Sequence, residues 1–173
     1  MKLADIITET KESRGTYAGT YFDADTVECI RRYVKDNNIP KPVNMSKLHT
    51  TLLYSRKYLP EYEAAGKYDE PMTGSPVELT VWETQGDENT KPANCLVLTY
   101  DCPELVKRHK ALMKEHGATF DYVEYTPHVT LSYDIGTMDI DGLPDVKKAI
   151  PKITVVEEYG EDLHLDWAHQ AHK

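Results

Sequence analysis

Two segments, Leu48-His49-Thr50-Thr51-Leu52-Leu53-Tyr54-Ser55 and Pro127-His128-Val129-Thr130-Leu131-Ser132-Tyr133-Asp134, carry His, Thr, Leu and Tyr at the same four offsets. Imidazole, with an ordinary pKa of about 6.5, takes or gives a proton near neutrality. A threonine hydroxyl donates a hydrogen bond without adding charge. Such a pair of pairs suits a phosphodiester: one imidazole accepts the proton of the attacking oxygen, the other supplies one to the leaving oxygen, and the hydroxyls donate to the non-bridging oxygens as charge grows on them. A single His-x-Thr is a common accident of a strand; two copies with matching Leu and Tyr are a pattern. No metal is required by this chemistry. Zinc is a competing reading, but no third ligand stands at a recognisable spacing, and His164, His169 and His172 belong to a tail expected at the surface.

The elements that must position these groups follow from periodicity. In extended chain, side chains alternate, so His49 and Thr51 are expected on one face with Leu52 and Tyr54 on the other, and the second copy likewise. Upstream of the first copy, Gly15 to Phe22 alternates as a strand. Asp23 to Asn38 then carries Val27, Ile30 and Val34 at helical spacing, with Asp25 as expected N-cap and Glu28 closing a capping box. Upstream of the second copy, Cys95 to Tyr100 pairs with Val77 to Glu83 as a hairpin. A helix opens at Asp101-Cys-Pro-Glu104 with the same capping pattern and ends at Gly117. His109 and His116 on that helix are expected to face solvent. Tyr58 to Pro71 reads as loop, Phe120 to Tyr125 as a strand, and Ile153 to Trp167 as extended tail. The matching order suggests an α+β fold: a single domain over 1–173 with two internally related lobes, their antiparallel sheets flanking a central cleft.

Composition sets the outer bounds. The chain has 173 residues, with 20 Lys and Arg against 29 Asp and Glu, for a net charge of −9. That field repels long nucleic acid but leaves a short nucleotide in a pocket possible. No apolar run approaches the ~18 residues that span a bilayer, and the N-terminal segment does not read as a signal peptide. A cytoplasmic protein is expected. Cys29, Cys95 and Cys102 are expected to be reduced, partly buried thiols.

Twin His-x-Thr strands in a duplicated αβ chain resemble the two-histidine (2H) phosphoesterase superfamily. A closer resemblance, to the phage anti-CBASS nucleases, rests on Glu12-Ser-Arg-Gly-Thr-Tyr17, His49-Thr-Thr-Leu-Leu-Tyr-Ser-Arg-Lys-Tyr-Leu-Pro60 and Leu163-His-Leu-Asp-Trp167. The resemblance implies an enzyme that degrades 3′,5′-linked cyclic di- and trinucleotide messengers such as cyclic GMP-AMP without a cofactor or metal, in the cytoplasm of an infected bacterium. His49, Thr51, His128 and Thr130 would be catalytic, with base and acid not assigned between the histidines. It also implies base recognition by aromatic stacking and a carboxylate, carried here by Tyr17, Trp82, Trp167 and Glu161. The remaining acidic residues read as solvated surface.

Two other functions fit the same residues. An RNA 2′,3′-cyclic phosphodiesterase or ligase would use the same histidines, although the acidic charge disfavours it. A nucleotide-binding sponge would need the aromatics and not the histidines. The preferred messenger and the oligomeric state are not encoded in any motif.

Overall fold

The computed structural model describes residues 14–86 and 88–164. Among the described residues, six strands and three α-helices follow in the order β1 (Arg14–Phe22), α1 (Ala24–Asp36), β2 (Thr50–Ser55), β3 (Gly66–Thr84), β4 (Ala93–Asp101), α2 (Pro103–His116), β5 (His128–Ser132), α3 (Val146–Ala149) and β6 (Ile153–His164). The fold is α+β. All adjacent strands run antiparallel in the order β2-β1-β6-β3-β4-β5, which puts the two histidine strands at opposite edges. Strand β3 is long enough to pair first with β6 and then with β4, so it carries the sheet from one half to the other. The edges return to each other: the Thr50 hydroxyl on β2 donates to the His128 carbonyl on β5 at 2.8 Å.

One apolar cluster holds both halves. Ile30 and Val34 from α1, Leu105 and Leu112 from α2, and Leu52, Leu96, Leu98, Leu131 and Ile153 from the sheet all join it. Each such side chain, fully buried, contributes about 1.5–3 kcal/mol.

The helix starts differ from the capping pattern read in the sequence. Asp23, not Asp25, caps α1 by accepting from the Thr26 N–H. Glu28 instead turns along the helix and accepts from Arg31 and Arg32, a stronger partner set for a carboxylate than one backbone N–H. Helix α2 starts after Cys102 with no side-chain cap, and Pro103 in its first turn removes a donor that would otherwise need one. Gly117 ends it in the left-handed conformation, as expected.

Two further expectations change. Gly66 to Pro71 is strand rather than loop, because Gly66 and Lys67 find partners on β6. Phe120 to Tyr125 is not a strand, since its Phe120 and Tyr125 rings turn onto His109 instead of forming a ladder. The extended tail is strand as far as His164, and Trp167 lies outside the described residues. Among the described residues no helix is long and apolar enough to cross a membrane. Cys29 and Cys95 are half-buried, Cys102 is buried, and all three are free.

Glu158 is not surface: it is 1% exposed. Its carboxylate accepts two bonds from Arg108, one each from the Tyr62 and Tyr68 hydroxyls and one from the Ala65 N–H, all at 2.8–2.9 Å. Burial alone would raise its pKa; these donors outweigh burial and hold it below the usual carboxylate range. The cluster ties α2 and the segment before β3 to β6.

Candidate active site

His49 follows the short turn Met45–Lys47 and immediately precedes β2. Its Nδ1–H donates to the Lys47 carbonyl at 2.8 Å, and His128 repeats the device on the Thr126 carbonyl, also at 2.8 Å. A carbonyl can only accept, so in each ring Nδ1 carries the proton and Nε2 is left as the working nitrogen. Each histidine is thus oriented by the backbone two residues upstream.

Strict alternation breaks at the same place in both strands. Between Gly19 and Ala18 the β1–β2 register skips Leu52, and between Val97 and Leu96 the β4–β5 register skips Leu131. These are β-bulges, which place two residues of one strand opposite one of its partner and re-aim the side chains beyond them. Leu52 and Leu53 are both buried in consequence, as are Leu131 and Ser132. Tyr54 therefore does not oppose His49 and Thr51 as alternation alone requires. It packs edge-on against Tyr17 at 6.4 Å, and Tyr17 in turn meets the His49 ring at 6.5 Å and the Thr51 hydroxyl at 3.0 Å. Thr130 lies half-buried between buried Val129 and Leu131, on the alternation of His128.

Trp82, 41% exposed, leans over the His128 ring at 4.4 Å and 56°. Burial lowers the His128 pKa, the Thr126 carbonyl opposes that shift, and the positive form of His49 lowers it further. Glu161 pairs directly with Tyr17 across β6 and β1. Burial, with a smaller contribution from the Glu161 charge, raises the Tyr17 hydroxyl pKa although its bonds to Thr51 and Tyr159 oppose the shift. Of the eight site residues expected from the sequence, Tyr17 meets both His49 and Thr51, and Trp82 meets His128. Trp167 falls on undescribed chain.

Sequence reasoning missed Tyr159. Its ring packs against Tyr17 at 6.1 Å and stacks on Tyr21 at 4.4 Å, in the space left by Gly19, where an added Cβ would lie 2.5 Å from the ring. A glycine inside an otherwise β-forming strand was the available signal. It also misplaced His109, which is 5% exposed and not solvent-facing, because its Nδ1 is hydrogen-bonded and its ring stacks on Tyr125 and meets Phe120 edge-on. His116 is likewise largely covered, its ring edge-on to Tyr62 at 5.9 Å. Among the described residues no three His, Cys, Asp or Glu side chains are grouped to hold a metal ion.

Residues 14–170 match the family model for Anti-CBASS protein Acb1. The Anti-CBASS protein Acb1 of Enterobacteria phage T4 is 36% identical over 156 residues, 90% of this chain and 93% of its own. That of Acinetobacter phage Ac42 is 36% identical over 167 residues, covering 96% and 99%. Among solved structures, E. coli LigT complexed with 3′-AMP aligns at a TM-score of 0.45 and 19% identity, covering 86% of each chain. TT0787 of Thermus thermophilus aligns at 0.46 and 13% identity, covering 84% of this chain and 82% of that one. By its family model and its phage relatives, the chain belongs to the Anti-CBASS protein Acb1 family.

Proposed function

We propose that this protein is a phosphodiesterase that opens 3′,5′-linked cyclic di- and trinucleotide messengers in the cytoplasm of an infected bacterium, and so silences CBASS signalling. The observation that carries this reading is the identical setting of two His-x-Thr strands. Each has Nδ1 tied to the carbonyl two residues upstream and a bulge at the following Leu, and a side-chain bond from Thr50 to the His128 carbonyl joins the strands. The parallel order β1-α1-β2 and β4-α2-β5 supports two related lobes within one domain.

In the first step a ribose 2′-hydroxyl attacks its own 3′-phosphorus. His128 Nε2 takes the hydroxyl proton, the bond from phosphorus to the next nucleotide's 5′-oxygen breaks, and His49 Nε2 delivers a proton to that oxygen. The product is a linear nucleotide ending in a 2′,3′-cyclic phosphate, which water can open with the two roles exchanged. His128 is assigned the base because burial beside Trp82 favours the neutral ring that a base requires. Thr51 and Thr130 donate to the non-bridging oxygens. Tyr17, Trp82 and Trp167 offer surfaces for base stacking, worth roughly 1–3 kcal/mol each, and Glu161 a carboxylate for a base N–H. Every step uses imidazole and hydroxyl groups alone.

The test is incubation with a panel of cyclic di- and trinucleotides and a short RNA bearing a 2′,3′-cyclic end, in EDTA, with products identified by mass spectrometry. Linear products from the cyclic messengers, lost in His49→Ala and His128→Ala while binding persists, support the reading. Preference for the RNA end, or messenger depletion that survives both substitutions, overturns it.

A further inference from the structure

The two bulges beyond the histidine motifs lie on β2 and β5, the edge strands among the described residues, and the carbonyls of the skipped leucines take donors from outside the six-stranded sheet. A buried carbonyl in that position needs another donor. In the second half it finds one in the backbone: the Val43 N–H, from the chain after α1, donates to the Leu131 carbonyl at 3.0 Å. In the first half a side chain fills the same place. His109 on α2 donates its Nδ1 proton to the Leu52 carbonyl at 2.7 Å.

We propose that His109 is a positioning residue for the His49-x-Thr51 pair, holding the Leu52 bulge that sets Thr51 and Tyr54 beside Tyr17. The proposal rests on the phosphodiesterase reading for its effect on turnover, and on geometry for its effect on the site. The His109 ring stacks on Tyr125 at 4.1 Å and 9°, and meets Phe120 edge-on at 4.8 Å. The Tyr125 hydroxyl then donates to the Thr51 carbonyl at 2.7 Å. Two stacked rings thus hold two consecutive carbonyls of β2, in the peptides before and after Leu52, the residue the register skips. The stack also reaches the second motif, because Tyr125 precedes Thr126, whose carbonyl orients the His128 ring. His109 touches neither catalytic imidazole; it acts through the backbone between Thr51 and Leu52 and through the approach to His128.

Three variants of the full chain separate a donor from a space-filler. His109→Leu keeps bulk and removes the donor, His109→Asn keeps an N–H near the Nδ1 position, and Tyr125→Phe keeps the stacked ring but removes the bond to Thr51. On a cyclic dinucleotide, His109→Leu is expected to lower kcat on the order of ten- to a hundredfold, as small displacements of reacting groups do, with KM nearly unchanged. His109→Asn is expected to recover most of the loss, and Tyr125→Phe to reproduce part of it. The ring resonances of His49, followed by NMR in each variant, give a readout that does not depend on turnover. They should shift in His109→Leu and return in His109→Asn. Should His109→Leu not fold, His109→Asn and Tyr125→Phe carry the same comparison. A folded His109→Leu with unchanged kcat, His109→Asn as slow as His109→Leu, or His49 resonances unmoved in all three variants overturns the proposal. Should the wild type cleave no cyclic nucleotide, the phosphodiesterase reading fails alone and the resonances still decide the role of His109.

Discussion

The Thr50 hydroxyl donates to the His128 carbonyl at 2.8 Å, so the strand carrying one histidine is bonded to the other histidine itself. Behind it the buried Tyr100 hydroxyl donates to Thr50 Oγ1, also at 2.8 Å, which leaves Thr50 free to donate only toward His128. The two edges of the sheet are joined by a directed chain, Tyr100 to Thr50 to His128. Replacing Thr50 with the near-isosteric Val breaks both bonds at once and strands a buried hydroxyl. A stability loss of about 1–3 kcal/mol is expected. Turnover should fall further than stability accounts for, because the spacing of the two imidazoles is no longer held. Thermal melts and kcat measured well below the melting temperature check this; a variant with lowered Tm and unchanged kcat would show that the bond serves folding alone.

The paired motifs were legible because they are local: His, Thr, Leu and Tyr repeat within single strands, and imidazole and hydroxyl chemistry comes with residue type. The bulge after each motif was not legible. A bulge is a property of two paired strands, and nothing in Thr51-Leu52-Leu53 distinguishes it from regular alternation until β1 is laid beside it. Tyr54 was therefore placed on the wrong face. The buried Glu158 was hidden for a similar reason, since Arg108, Tyr62 and Tyr68 come from three separated stretches of chain. The strand expected at Phe120 to Tyr125 shows propensity overridden by packing: aromatic residues favour strands, but here the Phe120 and Tyr125 rings pack around His109.

Activity should depend on pH in a way set by Trp82. The His128 pKa lies below the ordinary imidazole value of 6.5, with burial as the main cause. The base must be neutral, so it remains competent as pH falls through 6.5 and is lost only below that, at its own depressed pKa. The acid limb of kcat/KM is expected below pH 6.5. Trp82→Ala opens the ring to water and should move that limb upward toward 6.5, whatever it does to substrate affinity. A limb that stays in place in Trp82→Ala would mean that His128 is not the base.

Gly19 is where the aromatic wall meets the sheet. An alanine there would put its Cβ 2.5 Å from Cζ and the hydroxyl of Tyr159, contacts that real side chains do not make. The Tyr159 ring must shift, and it leans on Tyr17, which bonds Thr51. Gly19→Ala is expected to cost about 1–3 kcal/mol by overpacking and to raise KM as Tyr17 is displaced. The double variant with Tyr159→Ala relieves the clash, so the two stability changes should be strongly non-additive. Additive changes in denaturant titrations would place the strain elsewhere.

Glu158 makes the fold sensitive to acid. Its folded pKa is depressed by Arg108, Tyr62, Tyr68 and the Ala65 N–H, against the cost of burial, so the unfolded chain binds its proton more readily than the native one. The stability this contributes is complete above the ordinary value of 4.5 and is lost as pH falls through the lower folded pKa. Burial of His109 and His128 works over a higher range: both folded pKa values lie below 6.5, so protonation of the unfolded chain begins to erode stability as pH drops under that value. Two acid phases are expected, one starting near pH 6.5 and a second below pH 4.5. Glu158→Gln should abolish the second and, by leaving Arg108 without its counter-charge, cost about 3 kcal/mol at neutral pH. Denaturant midpoints collected from about pH 3 to 8 distinguish the phases. A second phase that persists in Glu158→Gln would assign it to other carboxylates, such as Asp134, whose pKa is also lowered by the Gly136 and Asn94 N–H groups it accepts from.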